Sequence, residues 1–236
     1  MDIQELLAAS KAATVSMAGA STTQKNLALE GIAKELEANV SEIIAANELD
    51  LAAGEQSGLS KALQDRLRLD AQRVKSLASA VREIISLPDP VGDSVQGSTL
   101  ANGLMIQQVR VPFGVIGCIY EARPNVTVDI AALAIKSGNC AVLRGGSAAE
   151  NTNKVLISVI QRGLIGAELP SSAVATVDPF GRDGAVELMQ ARGFVDVLIP
   201  RGSANLIHTV VTESKVPVIE TGDGIVHIFA DASANV

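Results

Sequence analysis

The chain runs to 236 residues, 47% of them hydrophobic and 19% charged, the balance of a folded protein with a sizeable core rather than a disordered one. A net charge of −7 argues against nucleic acid or an anionic membrane as a bulk partner, while leaving room for a local basic pocket. Four Phe, one Tyr and no Trp leave Ala, Val, Ile and Leu to build the core, which suits a parallel sheet covered by helices.

Residues 1–87 read as a helical layer. The first stretch, MDIQELLAASKAA, is acidic and amphipathic, with neither a signal-peptide pattern nor an apolar span, so a cytoplasmic location is expected. Ser21-Thr22-Thr23-Gln24 has the form of a capping box, and the helix behind it carries Leu29, Ile32, Leu36, Val40 and Ile43 at steps of three and four. Another helix starts after Asp70 with Val74, Leu77, Val81 and Ile84. The charges between these stripes read as a solvated face, and nothing here suggests chemistry. Leu87-Pro88-Asp89-Pro90 breaks the helices. From Ser98 to Val111 the period falls to two around Asn102-Gly103, a type I′ hairpin signal, and such a hairpin is expected to reach outward and pair with another sheet or subunit.

Val111 to Asn153 forms one complete βαβ unit: strand Gly114–Tyr120, a polar turn, a helix from Val126 to about Ser137 closed by Gly138, and strand Cys140–Leu143. The alternation continues with helix Thr152–Ile165, strand Ala173–Val177, helix Asp183–Arg192, strand Val195–Ile199, a helix to about Thr212, strand Val216–Ile219 and a last strand near Ile225–Phe229. About five strands in repeated βα units predict right-handed crossovers and a mainly parallel sheet. The residues after Asp231 fit neither a closing helix nor a strand, as though the architecture were unfinished.

Ligands of such sheets gather at the carboxyl ends of the strands, where three turns fall. Arg144-Gly145-Gly146-Ser147 offers open backbone N–H groups and a guanidinium suited to phosphate, and Arg201-Gly202-Ser203 repeats the scheme at a helix start. One such turn alone reads more simply as a turn and helix cap; two at one sheet edge favour a phosphate-bearing ligand. No G-x-G-x-x-G follows any strand. Glu121, Arg123 and Asn125 around Pro124 could align an anionic substrate and stabilise charge on a carbonyl, or be a surface pair with a helix cap. Cys118 and Cys140 fall in buried strands and read as core residues, and His208 and His227 as structural. Two Cys and two His show no metal-ligand spacing.

The run RVPFGVIGCIYEARPNVTVDIAALAIKSGNCAVLRGGS, with VDVLIPRGSANLI and VPVIETGDG downstream, resembles the gamma-glutamyl phosphate reductase family of the aldehyde dehydrogenase superfamily. The likeness begins in KNLALEGIAKELE, ALQDRLRL and SLPDPVGD and covers nearly the whole chain. It implies an α/β fold: an open, mainly parallel Rossmann-like sheet with helices on both faces. Residues 1–97 would be the helical layer of the cofactor domain, 98–111 an oligomerisation hairpin and 112–236 the nucleotide-binding unit, with the catalytic domain absent.

The family reaction is NADPH-dependent reduction of L-glutamyl 5-phosphate to L-glutamate 5-semialdehyde with release of phosphate, in proline biosynthesis, through a Cys thiolate. The resemblance implies a homo-oligomer when complete, association with glutamate 5-kinase, and neither nucleic acid nor membrane as partner. It places Asn125 as the oxyanion donor, Glu121 and Arg123 toward substrate, and the cofactor on Arg144, Gly145, Gly146, Ser147, Arg201, Gly202, Ser203, Glu220 and Gly222. The family's Asn-x-x-x-Gln-Arg-Pro-x-x-Cys segment is not in these 236 residues, so the chain alone is expected to be inactive. Ala148, Ser203, Asp223, Ile225 and Val226 also depart from the family pattern. Of these, Ala148, Asp223, Ile225 and Val226 motivate the alternative of a non-catalytic nucleotide-binding or assembly module.

Overall fold

The computed structural model describes residues 2–121, 123–220 and 227–234. Five helices open the chain: α1 (Ile3–Gly19), α2 (Thr22–Ala38), α3 (Val40–Gln56), α4 (Lys61–Leu67) and α5 (Ala71–Ser86). Their starts are written locally. Asp2 pairs with Glu5, and Ser21 with Gln24, in reciprocal capping boxes, while the Ser60 and Asp70 side chains accept from Leu63 N and Arg73 N. The stripe predicted as one helix from Leu29 to Ile43 is divided at Asn39, whose side-chain amide bonds back to the Glu35 carbonyl at 2.7 Å. Both halves keep their apolar faces buried, so periodicity alone could not show the break.

Strands β1 (Ser94–Thr99) and β2 (Met105–Val109) form an antiparallel hairpin separate from the main sheet. It begins four residues before the predicted start, and its turn is not type I′. Gly103 N bonds the Leu100 carbonyl, and of the two residues Asn102 and Gly103 only Gly103 has a positive φ, +87°. That is a three-residue loop with glycine at its left-handed position, set by Ala101 entering the turn.

The main sheet holds β3 (Val115–Tyr120), β4 (Cys140–Arg144), β5 (Val174–Thr176) and β6 (Val197–Arg201), all parallel, in the order β5-β4-β3-β6. The helices between them are α6 (Pro124–Lys136), α7 (Glu150–Gly166) and α8 (Gly181–Gln190), and α9 (Ala204–Glu213) follows β6. Right-handed crossovers put α6 and α7 on one face, and the reversal from β5 back to β6 puts α8 on the other. A Cβ on Gly117 of β3 would lie 3.5 Å from Leu188 of α8. On the α6–α7 side, α2 packs against α7 so closely that a Cβ on Gly163 would lie 2.6 Å from Ile32 N.

The core is aliphatic, as composition requires, with Tyr120 its one fully buried aromatic among the described residues. Val216–Ile219 is not a full strand: Val218 makes a single bridge to Leu198, flanked by Pro217, which has no N–H to give a ladder. Residues 227–229 of the expected last strand are not in a strand, and its first two positions lie outside the described residues. β6 runs on through Pro200 to Arg201, a course open to an outer strand, so Arg201 pairs with Tyr120 instead of sitting in the turn.

Candidate functional site

Strand order reverses between β3 and β6, and a crevice opens there at the carboxyl ends, where open α/β sheets take ligands. Tyr120, Glu121, Arg123, Val126, Arg201 and Gly202 line a cavity of about 210 Å³ at this point. The extension of β6 beside β3 is what delivers Arg201 next to Glu121. Glu121 reaches across to the start of α9, where its carboxylate accepts Ser203 N–H at 3.0 Å. Its pKa is held below the usual carboxylate range by the Ser203 side chain and N–H, with smaller contributions from Arg123 and Arg66, against the cost of burial. A Cβ on Gly202 would come within 2.8 Å of that carboxyl carbon, so the position favours glycine. The helix start expected to face a phosphate is therefore filled by an anion of the chain itself.

The Gly-rich turn lies one strand away. Arg144, Gly145, Gly146 and Ser147 line a cavity of about 120 Å³ with Glu150 and Asp178. One of its backbone donors is also engaged. Gly145 N–H donates to Asp178 Oδ1 at 2.7 Å, and the first turn of α7 is capped by Asp50 of α3, which accepts Asn151 N–H, the Asn151 amide, Thr152 N–H and the Thr152 hydroxyl at 2.6–3.1 Å. Arg144 folds onto the Gly145 carbonyl, and its Nε is buried without an acceptor among the described residues. Burial pushes the Asp178 carboxyl up, while the Gly145 N–H, Asn153, Thr176 and Arg144 pull the other way.

A buried relay joins the two cavities. Tyr120 Oη shares a 2.7 Å hydrogen bond with Thr127 Oγ1, which donates to Asn153 Oδ1 at 2.8 Å, and Asn153 Nδ2 donates to Asp178 at 3.2 Å. Neither Asn153 nor Asp178 was singled out in the sequence, where each reads as an ordinary helix-face or turn residue.

Asn125 lies in the first turn of α6, and its amide donates to Asp129 at 3.3 Å, one turn further on. Burial raises the Asp129 pKa, opposed by Asn125 and Arg201. Asn125 opens into a larger cavity of about 720 Å³, shared with Arg66, Arg68, Arg73, Arg123 and Asp129. These three N-terminal arginines were missed by sequence reading, and the only trace, left by Arg66 and Arg68, was the dense DRLRLD run. Glu220 is exposed and Gly222, Asp223, Ile225 and Val226 lie outside the described residues. Both cysteines are fully buried, and desolvation pushes each thiol up to about 12, so neither is a thiolate near neutral pH. His208 is on α9, as predicted, and His227 is not in a strand.

As a fit test for a nucleotide, the donors divide. At the Gly-rich turn the Asp178 carboxylate stands on Gly145 N–H and is held from behind by Asn153, an anion where a phosphate would otherwise meet that donor. The α9 start has one carboxylate on it, that of the exposed Glu121 side chain, with Arg123 and Arg201 beside it.

The fold is that of an aldehyde dehydrogenase: the aldehyde dehydrogenase family model matches residues 1–224, and the chain belongs to that family. It is 61% identical over 232 residues to the gamma-glutamyl phosphate reductase of Leifsonia xyli subsp. xyli, covering 98% of this chain and 55% of that one. The crystal structure of gamma-glutamyl phosphate reductase from Thermotoga maritima superposes with a TM-score of 0.92 at 39% identity, covering 95% of this chain and 54% of that chain. The Saccharomyces cerevisiae enzyme of that name gives 0.86 at 29% identity, with 95% and 57% covered. The chain spans about half the length of the relatives it matches. No helix among the described residues is long and apolar enough to cross a membrane.

Proposed function

We propose that this chain is the cofactor-binding portion of a gamma-glutamyl phosphate reductase. The activity it serves is NADPH-dependent reduction of L-glutamyl 5-phosphate to L-glutamate 5-semialdehyde with release of phosphate, an oxidoreductase step of proline biosynthesis in the cytoplasm. The observation that carries this reading is the conjunction of close identity to reductases of that name with a switch-point crevice lined by Arg123, Arg201 and Gly202. When bound, the nicotinamide nucleotide supplies the hydride.

The chain's residues do the rest. Arg201, Gly202 and Ser203 hold the phosphates after Glu121 yields, and Arg123 is turned to the substrate. Arg144 to Ser147 and Asp178 hold ribose hydroxyls. Asn125 offers its amide to the acyl oxygen as charge develops, once that amide turns from Asp129. Glu220 and Gly222 complete the nicotinamide side.

The hairpin β1–β2 serves self-association. Val95, Met105, Ile106 and Val109 are each at least 45% exposed on a ribbon that packs outside the main sheet, the kind of surface a second copy covers. Docking with glutamate 5-kinase is the other partnership this reading carries.

Neither cysteine can supply the nucleophile, since both are buried and protonated. The 236-residue chain is therefore expected to release no phosphate from L-glutamyl 5-phosphate in the presence of NADPH, measured as loss of NADPH absorbance. Turnover by the purified chain would refute the assignment of the thiolate to residues outside it. A non-catalytic nucleotide-binding or assembly module is the second reading, favoured by the carboxylates already seated at Ser203, Gly145 and Thr152.

A further inference from the structure

The N-terminal helical layer, silent in the sequence, contributes the most positive surface of the candidate site. Arg66 and Arg68, from the end of α4, face Arg123 and Asn125 of α6 across the 720 Å³ cavity, with Arg73 behind them. Among the described residues no carboxylate lies within ion-pair distance of Arg66, Arg68 or Arg123. Of the two acids in the wall, Asp65 is taken by Arg73 at 2.8 Å, and Asp129 accepts from the Asn125 amide at 3.3 Å. Three guanidiniums without a close ion pair, two of which feel the Glu121 carboxylate only through space, are not the average surface of a protein of net charge −7.

The segment that carries them is also held rigidly. Buried Asn47 accepts Leu69 N–H at 2.7 Å and donates to the Leu67 carbonyl at 2.9 Å, gripping the backbone on both sides of Arg68. Arg73 donates to the Asp65 and Arg68 carbonyls at 2.6 and 2.9 Å. These bonds fix the backbone from which the Arg66 and Arg68 side chains project. On the facing wall the first turn of α6 has no side-chain cap, and Arg123 occupies its N-cap position.

We propose that Arg66, Arg68 and Arg123 form the site for the phosphoryl group of an acyl phosphate, and that Arg66 and Arg68 are substrate-specificity residues of the helical layer. This rests on the reductase reading, and it adds the location of the leaving group. The geometric argument is short. Asn125 is the group set to receive the acyl oxygen, and in an acyl phosphate the phosphoryl oxygen is bonded to the same carbon. On that reading a phosphoryl dianion lies within a few bonds of Asn125, and the cavity that Asn125 opens into is where Arg66, Arg68 and Arg123 converge. The carboxylate at the other end of a glutamyl chain lies several bonds further away.

The test titrates inorganic phosphate into the 236-residue chain by calorimetry, with and without saturating NADPH. Saturable binding is expected. R68A and R123A should each weaken it by roughly ten-fold or more, the loss of a charge-assisted forked contact. R68K should restore part of the affinity by returning the charge without the fork. R66A/R68A should remove binding altogether, and R192A, an exposed arginine elsewhere, should leave it unchanged. Arg73 is left intact because it holds the segment together.

The proposal is overturned if phosphate does not bind, if R192A weakens binding as much as R68A, or if NADPH competes with phosphate, which would give the site to the nucleotide. It is equally overturned if L-glutamate, and not phosphate, loses affinity in the arginine variants. Failure of NADPH to bind would count against the reductase reading alone, and the arginine variants would still decide the phosphate site.

Discussion

Replacing Asp50 with alanine is expected to cost about 3–5 kcal/mol of folding stability, because a buried anion with four donors is deleted at one stroke. Asp50 is 3% exposed and takes two backbone N–H groups from the first turn of α7 together with the Asn151 amide and Thr152 hydroxyl. Without it the positive end of α7 faces an empty space lined with unpaired donors. D50N, which keeps the shape and one acceptor oxygen, should lose about half as much. Urea unfolding of both variants measures this, and a loss below about 1 kcal/mol for D50A would show that water replaces the carboxylate without difficulty. The same change should loosen the Gly-rich turn, since that turn leads directly into α7.

The second large effect lies at Asp89, in the Leu87–Pro90 break. Its carboxylate pairs with Lys25, which is only 1% exposed, and accepts the Thr22 hydroxyl at 2.7 Å. D89A strands the Lys25 ammonium in the core, and a loss of about 3–5 kcal/mol at neutral pH is expected. D89L/K25M removes both charges and should recover most of that loss. Burial works against the Asp89 charge, but Lys25, Thr22 and the Val91 N–H outweigh it and hold the pKa below the usual carboxylate range. The stabilisation from a depressed carboxyl is present above its unfolded value of about 3.9 and fades as pH falls through the lower folded value. The gap between wild type and D89A should therefore be constant from neutral pH down to mild acid and close only below it. A gap that instead widened in acid would refute the assignment.

How much of this was readable beforehand depended on whether the information was local. The βαβ unit was legible because each helix and strand carries its own period and cap, and α6, β3 and β4 fall where the sequence puts them. The reversal at β6 was not legible, because the crossover rule sets handedness and not strand order, and neither was Arg201's place on the strand, because Pro200 reads as a turn and is tolerated only at the sheet's outer strand. Asn39 divides α2 from α3 without disturbing the apolar stripe. The site was half legible. Gly-Ser turns marked the right edge of the sheet, but a sequence cannot show that Asp178, Asp50 and Glu121 already occupy the backbone donors, since the partners lie up to 102 residues apart. Arg66 and Arg68 looked like solvated charge for the same reason. Only the fold sets α4 opposite the start of α6.

The central claim is that the crevice between β3 and β6 takes a nicotinamide nucleotide with displacement of Glu121 from the start of α9. Titration of the 236-residue chain and of its E121Q variant with NADPH, followed by cofactor fluorescence, tests it most directly. Saturable micromolar binding by the wild-type chain, made tighter in E121Q by removal of the competing charge, is the predicted result. Absence of binding by both proteins at millimolar NADPH would contradict it and leave the chain a scaffold that keeps the aldehyde dehydrogenase fold without its cofactor.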